Sequence, residues 1–164
     1  MINVLKTLMA VIKIKNPSQE LDFKMISAAE TYAVRHPILR AGKPLESCVF
    51  EGDDLSTTMH LGLFFNHKLI GVSTFLQKNN ALISEVNQYQ LRGMAILKDF
   101  QGLGFGNSIL KQGELMLKKK HTKIVWCHAR QVALNFYKKN HYKIIGQPFT
   151  IKGIGEHVIM CKEL

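Results

Sequence analysis

Apolar positions along this chain follow two spacings, and the switches between them mark out its elements. The run at residues 11–15 predicts a first strand, behind a loose leader at 1–7. Leu21, Met25, Ile26 and Ala29 recur at helical intervals, which predicts a helix from a cap at Asn16-Pro17-Ser18 to about Arg35. A loop with His36-Pro37 and Gly42-Lys43-Pro44 follows. Residues 47–51 read as a strand ended by the turn Gly52-Asp53-Asp54. Residues 57–65 and 68–77 read as two strands of a hairpin, joined by Asn66-His67. A looser stretch opens at Asn79-Asn80, and 89–98 is again strand-like. Residues 105–120 predict a helix with Ile109, Leu110, Leu115, Met116 and Leu117 apolar. A buried strand at 123–129, a helix at 132–139 stopped by Asn140, and strands at 142–145 and 157–161 complete the chain. This is an α/β layout, a mixed sheet covered by helices.

Composition narrows the class. The chain has 164 residues, 46% of them hydrophobic, which suits one domain spanning 1–164. No apolar run approaches the roughly 20 residues that cross a bilayer, and the N-terminal apolar stretch 8–12 stops at Lys13 with no cleavage site behind it. These features argue against a membrane partner. The 3 cysteines, Cys48, Cys127 and Cys161, are widely spaced and form no CxxC pair, which argues against a disulfide framework or zinc site and points to a reducing cytoplasm. Cys127, in an Ile-Val-Trp-Cys run, reads as core packing. A net charge of +10 favours polyanionic partners: nucleic acid, an anionic surface or a phosphorylated cofactor. No basic stripe interleaved with aromatics supports nucleic acid. Lys118, Lys119 and Lys120 complement a helix dipole and read as a solvated helix end.

The informative segment runs through 91–107, where a strand leads into a glycine-rich turn and straight into a helix. Gly102, Gly104 and Gly106 permit backbone conformations closed to other residues and let amide N–H groups approach a ligand. The new helix adds unpaired N–H groups and the positive end of its dipole, so the segment can cradle a pyrophosphate. A purely structural glycine turn is the other reading. Asn107-Ser108 follows Gly106 where a P-loop needs Lys-Ser/Thr, and the GxGxG spacing departs from the GxGxxG of a dinucleotide fingerprint.

Gln101-Gly102-Leu103-Gly104-Phe105-Gly106 resembles the Q/R-x-x-G-x-G/A signature of the GNAT N-acetyltransferase superfamily, placed where that family has it. The run from Ala133 through Leu134, Asn135, Phe136 and Tyr137 to His141-Tyr142 is similar to the family's A-x-x-F-Y-x-x-x-G-F segment. The tail, from Gly146 and Phe149 through Gly153 to His157 and Met160, resembles the ElaA-like branch. Two positions depart: Arg130 stands where many members have an asparagine near pantetheine, and His141-Tyr142 where they have Gly-Phe.

The resemblance implies a mostly antiparallel mixed sheet, splayed at its central strands and flanked by helices. It implies acetyl-CoA as co-substrate, no metal, and acetyl transfer to a primary amine of a small molecule or peptide. A non-catalytic CoA-binding regulatory domain is the alternative, and a homodimer, common in the family, stays open. Main-chain groups of Met94, Ala95 and Ile96 would pair with pantetheine, though the same residues read equally as an ordinary buried strand. Amides of Gln101, Gly102, Leu103, Gly104, Phe105, Gly106 and Asn107 would take the pyrophosphate. Asn135 and Tyr137 would complete the cofactor contacts.

Transfer by direct attack needs a neutral amine, although such amines have a pKa of about 10.4, so a base must take a proton. An N–H at Met94 would face the oxyanion. Tyr137 holds the family's acid position. His157, with its near-neutral intrinsic pKa, is the candidate base from the tail resemblance. His60 and His128 interrupt apolar strands, and a satisfied core histidine is one reading of each; His128 is the more interesting, because it ends its strand on the far side of the expected splay. Glu46 and Glu85 read as ordinary surface, and Arg35 and Arg40 as a fork for an acceptor carboxylate.

Overall fold

The computed structural model describes residues 20–164, so the strand expected at 11–15, the leader and the Asn16-Pro17-Ser18 cap lie outside the described residues. The first described element differs from the expected helix. Leu21–Met25 is a strand, β1, that pairs antiparallel with β2 (Met59–Phe65) from Leu21↔Phe65 to Met25↔Leu61. Its apolar residues Leu21, Phe23 and Met25 alternate with Asp22 and Lys24, a period-two pattern that the helical spacing of Leu21 and Met25 hides.

The helix, α1 (Ala28–Leu39), starts later, at a capping box. Ser27 Oγ accepts from the Glu30 N–H at 3.3 Å, and the Glu30 carboxylate accepts from the Ser27 N–H at 2.7 Å. The Ser27 N–H bond, and then a second from the Ser27 hydroxyl at 2.8 Å, hold the Glu30 carboxyl below its ordinary pKa.

Residues 47–51 do not form a strand. Leu45–Cys48 is a 3₁₀ turn, and the backbone groups beyond it are spent locally: Asp53 N–H donates to the Phe50 carbonyl and Phe50 N–H to the Asp53 carboxylate, both at 3.1 Å. A backbone so engaged has little left for a ladder. The hairpin is as expected. β3 (Lys68–Gln77) follows β2 through Asn66 and His67, whose φ of 47° and 64° are those of a two-residue turn that matches strand twist.

β4 (Gln88–Ile96), α2 (Phe105–Lys119), β5 (Ile124–Arg130) and α3 (Leu134–Lys139) lie close to their expected positions, with a 3₁₀ turn, Gln131–Ala133, ahead of α3. β6 (Lys143–Ile151) and β7 (Gly155–Glu163) run longer than the apolar pattern indicates. A register shift between Ile145 and Phe149, at Gly146 with φ 70°, breaks the alternation that would have extended β6.

Among the described residues, 7 strands stand in the order β1-β2-β3-β4-β5-β7-β6. β4 and β5 are parallel neighbours paired from Gln88↔Ile124 to Leu91↔Cys127, while β5–β7 and β7–β6 are antiparallel. Described residues group into two compact units: 20–74 with Gly93–Gly113, and Phe75–Arg92 with Glu114–Leu164.

In the first unit, Val34, Val72 and Ala95 pack with Ile26, Ile38, Leu39, Leu69 and Leu97. Beside them Arg35 is wholly buried and pairs with the Asp53 carboxylate. Arg35 also donates to the Cys48 carbonyl at 2.9 Å and to Thr74 Oγ1 at 2.7 Å. Thr74 Oγ1 lies 2.8 Å from His60 Nδ1, and His60 Nε2–H donates to the Asp53 carbonyl at 2.8 Å.

In the second unit, Trp126 Nε1–H donates to the Lys78 carbonyl at 2.8 Å. The buried Glu114 carboxylate receives the Tyr142 hydroxyl at 3.0 Å and the Lys162 ammonium. No helix among the described residues is long and apolar enough to cross a membrane.

Candidate active site

In the first unit, β4 ends in the segment that carries the glycines. Gly93 has φ 57°, and a Cβ there would lie 2.9 Å from Arg35 Nε and 3.1 Å from the Phe50 ring, so only glycine fits this bend. Met94 beyond it is half-buried, and Ala95 and Ile96 are buried.

The chain then makes a short 3₁₀ turn, Lys98–Phe100, and enters the loop. Gln101 Nε2 donates to the Ile96 carbonyl at 2.8 Å, which ties the loop back to the strand. Gly102 and Gly104 take φ of 74° and 88°. A Cβ at Gly102 would meet nothing within 4 Å, so its glycine serves conformation and outward access, not internal packing. Phe105 is buried against Phe65 (5.4 Å between centroids) and Phe100 (6.1 Å), which seats the start of α2. Leu103 is exposed, and Gly106 and Asn107 are half-buried in the first turn of α2, which holds no acidic residue. A helix start leaves its first N–H groups without intrahelical partners and carries partial positive charge. The donor set therefore suits a diphosphate.

The second unit holds the titratable candidates. Tyr137, on α3, is buried among Phe136 (5.2 Å) and Tyr142 (5.3 Å), and its hydroxyl is hydrogen-bonded to the Cys127 thiol of β5. Burial above all, then the adjacent Cys127, pushes the Tyr137 phenol well above its ordinary pKa. Burial likewise pushes the Cys127 thiol up to about 12, so it stays protonated and inert. Asn135 is exposed on α3.

His157 is buried on β7, and its Nδ1–H donates to the Gly155 carbonyl at 2.8 Å. Its cross-strand partners are Arg130 and Phe149. Successive residues of a strand face opposite sides, so His128 and Arg130 share the face that Cys127 turns away from. Tyr137 and His157 thus stand on opposite faces of the β5–β7 ribbon.

His128 is not a core histidine. It is exposed, with its ring against Trp126 (5.3 Å) and Phe149 (4.9 Å), whereas His60 is buried and satisfied as expected. Arg35, spent on Asp53, cannot serve an acceptor carboxylate. Arg40 donates to the Ser47 and Leu39 carbonyls and stacks on Phe50, 4.9 Å from its centroid. Glu46 and Glu85 lie on the surface.

Among the described residues no group of three or more His, Cys, Asp and Glu side chains comes together as a metal ion would require. The Cys127–Tyr137 contact leaves only a linear trace, a cysteine in an apolar strand, and the Glu114 site only a carboxylate on the apolar stretch of α2.

Comparison with known proteins shows the family and the fold. Residues 51–164 match the family model of the acetyltransferase (GNAT) domain. Over 144 residues, 88% of this chain and 97% of the other, the sequence is 37% identical to YitI of Bacillus subtilis (strain 168), an uncharacterized N-acetyltransferase. A GNAT family acetyltransferase from Elizabethkingia anophelis, solved with acetyl-CoA bound, superposes with a TM-score of 0.64 at 16% identity, covering 88% of this chain and 98% of that one. Escherichia coli ElaA gives 0.65 at 13% identity, covering 88% and 100%. The chain belongs to the GNAT acetyltransferase family and is an acyltransferase of that class. The ElaA likeness expected from the tail is present as a likeness of fold.

Proposed function

We propose that this acyltransferase moves the acetyl group of acetyl-CoA to a primary amine by direct attack, with donor and acceptor bound together. The observation that carries this reading is the loop at 101–107: an outward-open glycine at φ 74°, a second at 88°, and an acid-free helix start behind them. Acetyl-CoA supplies an activated thioester.

The amides of Gln101, Gly102, Leu103, Gly104, Phe105, Gly106 and Asn107 hold its diphosphate, and the main chain of Met94, Ala95 and Ile96 pairs with its pantetheine amides. The Met94 N–H faces the carbonyl oxygen as it gains charge. Asn135 contributes a cofactor contact at the exposed side of α3. Tyr137 keeps its proton at rest, because burial and Cys127 disfavour its phenolate, and gives it to the sulfur only as the sulfur becomes negative.

His157 stands on the acceptor side, buried behind Phe149 with the two ring centroids 5.9 Å apart. The acceptor is a small-molecule or peptide amine. Free cysteines at 48, 127 and 161 fit a reducing cytoplasm.

The test is calorimetry with acetyl-CoA on wild type and Gly102→Val. A β-branched residue at this φ is strained, and its side chain lies where the ligand would approach. Affinity should fall at least tenfold. Unchanged affinity would remove the loop from the donor site.

A further inference from the structure

His128 is the first residue of β5 beyond its parallel ladder with β4, which ends at Leu91↔Cys127. Its neighbour Cys127 is bonded to Tyr137, and the two Cα atoms are about 3.8 Å apart across a trans peptide. Adjacent positions on one strand thus carry the Tyr137 contact on one face and an exposed imidazole on the other. That imidazole is held in place: Trp126 lies 5.3 Å from it on the same strand, Phe149 of β6 meets it edge-on at 4.9 Å, and Phe149 rests in turn 5.9 Å from His157. His157 is 4% exposed and spends Nδ1 on Gly155, so it cannot be the group that meets an incoming amine.

We infer that His128 is the base that takes the proton from the acceptor ammonium, with Phe149 and His157 as positioning residues behind it. The inference rests on the acetyl transfer proposed above. Partial desolvation of the ring where it lies against Trp126 and Phe149, followed by His157 of β7 and Lys78 beyond β3, lowers the His128 pKa, which leaves a free lone pair at neutral pH while the rest of the ring stays open to solvent. The ammonium loses one proton to His128, which passes it to solvent. The amine lone pair then forms the C–N bond to the acetyl carbon, and the C–S bond breaks. The nitrogen sheds its second proton to the regenerated His128 and so to solvent, while Tyr137 gives its proton to the departing sulfur and regains one from solvent.

The test uses the whole chain with acetyl-CoA and a panel of 2-phenylethylamine, spermidine, a free-amino-terminal peptide and Nα-acetyl-lysine methyl ester. Hydroxylamine, uncharged at neutral pH, serves as a nucleophile that needs no base. His128→Gln should lower kcat/KM for the best alkylamine by about 100-fold or more, within the range general bases supply. The loss with hydroxylamine should stay under about tenfold, with acetyl-CoA affinity and thermal stability unchanged, and His128→Asn should behave alike. Unchanged kcat/KM for the alkylamine overturns the proposal, as does an equal loss with both nucleophiles. Wild type that binds acetyl-CoA but releases no thiol with any nucleophile overturns the transfer reading itself.

Discussion

Replacing Asp53 with alanine leaves the Arg35 guanidinium buried with its charge uncompensated. Arg35 is 0% exposed and Asp53 6%, so water cannot take over the lost contacts. Bonds to the Cys48 carbonyl and Thr74 remain, but neither carries a charge. Removing one partner of a buried pair costs about 3–5 kcal/mol. Losing the acceptor for the Phe50 N–H adds about 1 kcal/mol. Against a total stability of about 5–15 kcal/mol this is a large share. For a domain of this size it lowers Tm by about 10 °C.

Urea unfolding should show a lower midpoint with an unchanged slope. Combining Asp53→Leu with Arg35→Met removes both charges and should recover part of the loss, because buried pairs are often matched by apolar packing. A loss below about 1 kcal/mol in Asp53→Ala, or no recovery in the double variant, would refute the electrostatic reasoning.

Stability should fall as pH rises from about 9 to about 12, because the unfolded chain ionises Cys127 at its ordinary pKa while the folded chain holds it protonated up to about 12. Three units correspond to about 4 kcal/mol, and chemical denaturation of Cys127→Ala across that window should show a flatter pH slope. Identical slopes would show that burial does not perturb the thiol. Tyr137→Phe should lower kcat while leaving acetyl-CoA affinity nearly unchanged, as steady-state kinetics and calorimetry can separate; unchanged kcat would remove Tyr137 from the chemistry.

What could be read from the chain was what adjacent residues encode. The Asn66-His67 turn, β3 and the glycine loop are local, and their turn residues and spacing carry them. β1 was misread because five residues with Leu21 and Met25 apolar satisfy a helical and an alternating pattern alike. Pairing with β2, far along the chain, decides between them. Residues 47–51 were misread because the side chains of Arg35 and Asp53 capture their backbone groups. Arg35 reads from the sequence as half of a fork for an acceptor carboxylate, and only the folded position of Asp53 makes it a core residue. The His128 face depends on the β5–β7 register and on the bulge that brings Phe149 beside His157, neither of which is written in linear spacing.

The most direct test follows acetyl-CoA labelled in its acetyl group, incubated with wild-type protein and a panel of primary amines, by mass spectrometry and free-thiol release. Labelled acetyl should appear on at least one amine, matched mole for mole by CoA thiol. Tight acetyl-CoA binding with no labelled amine and no thiol release across the panel would contradict the proposed transfer.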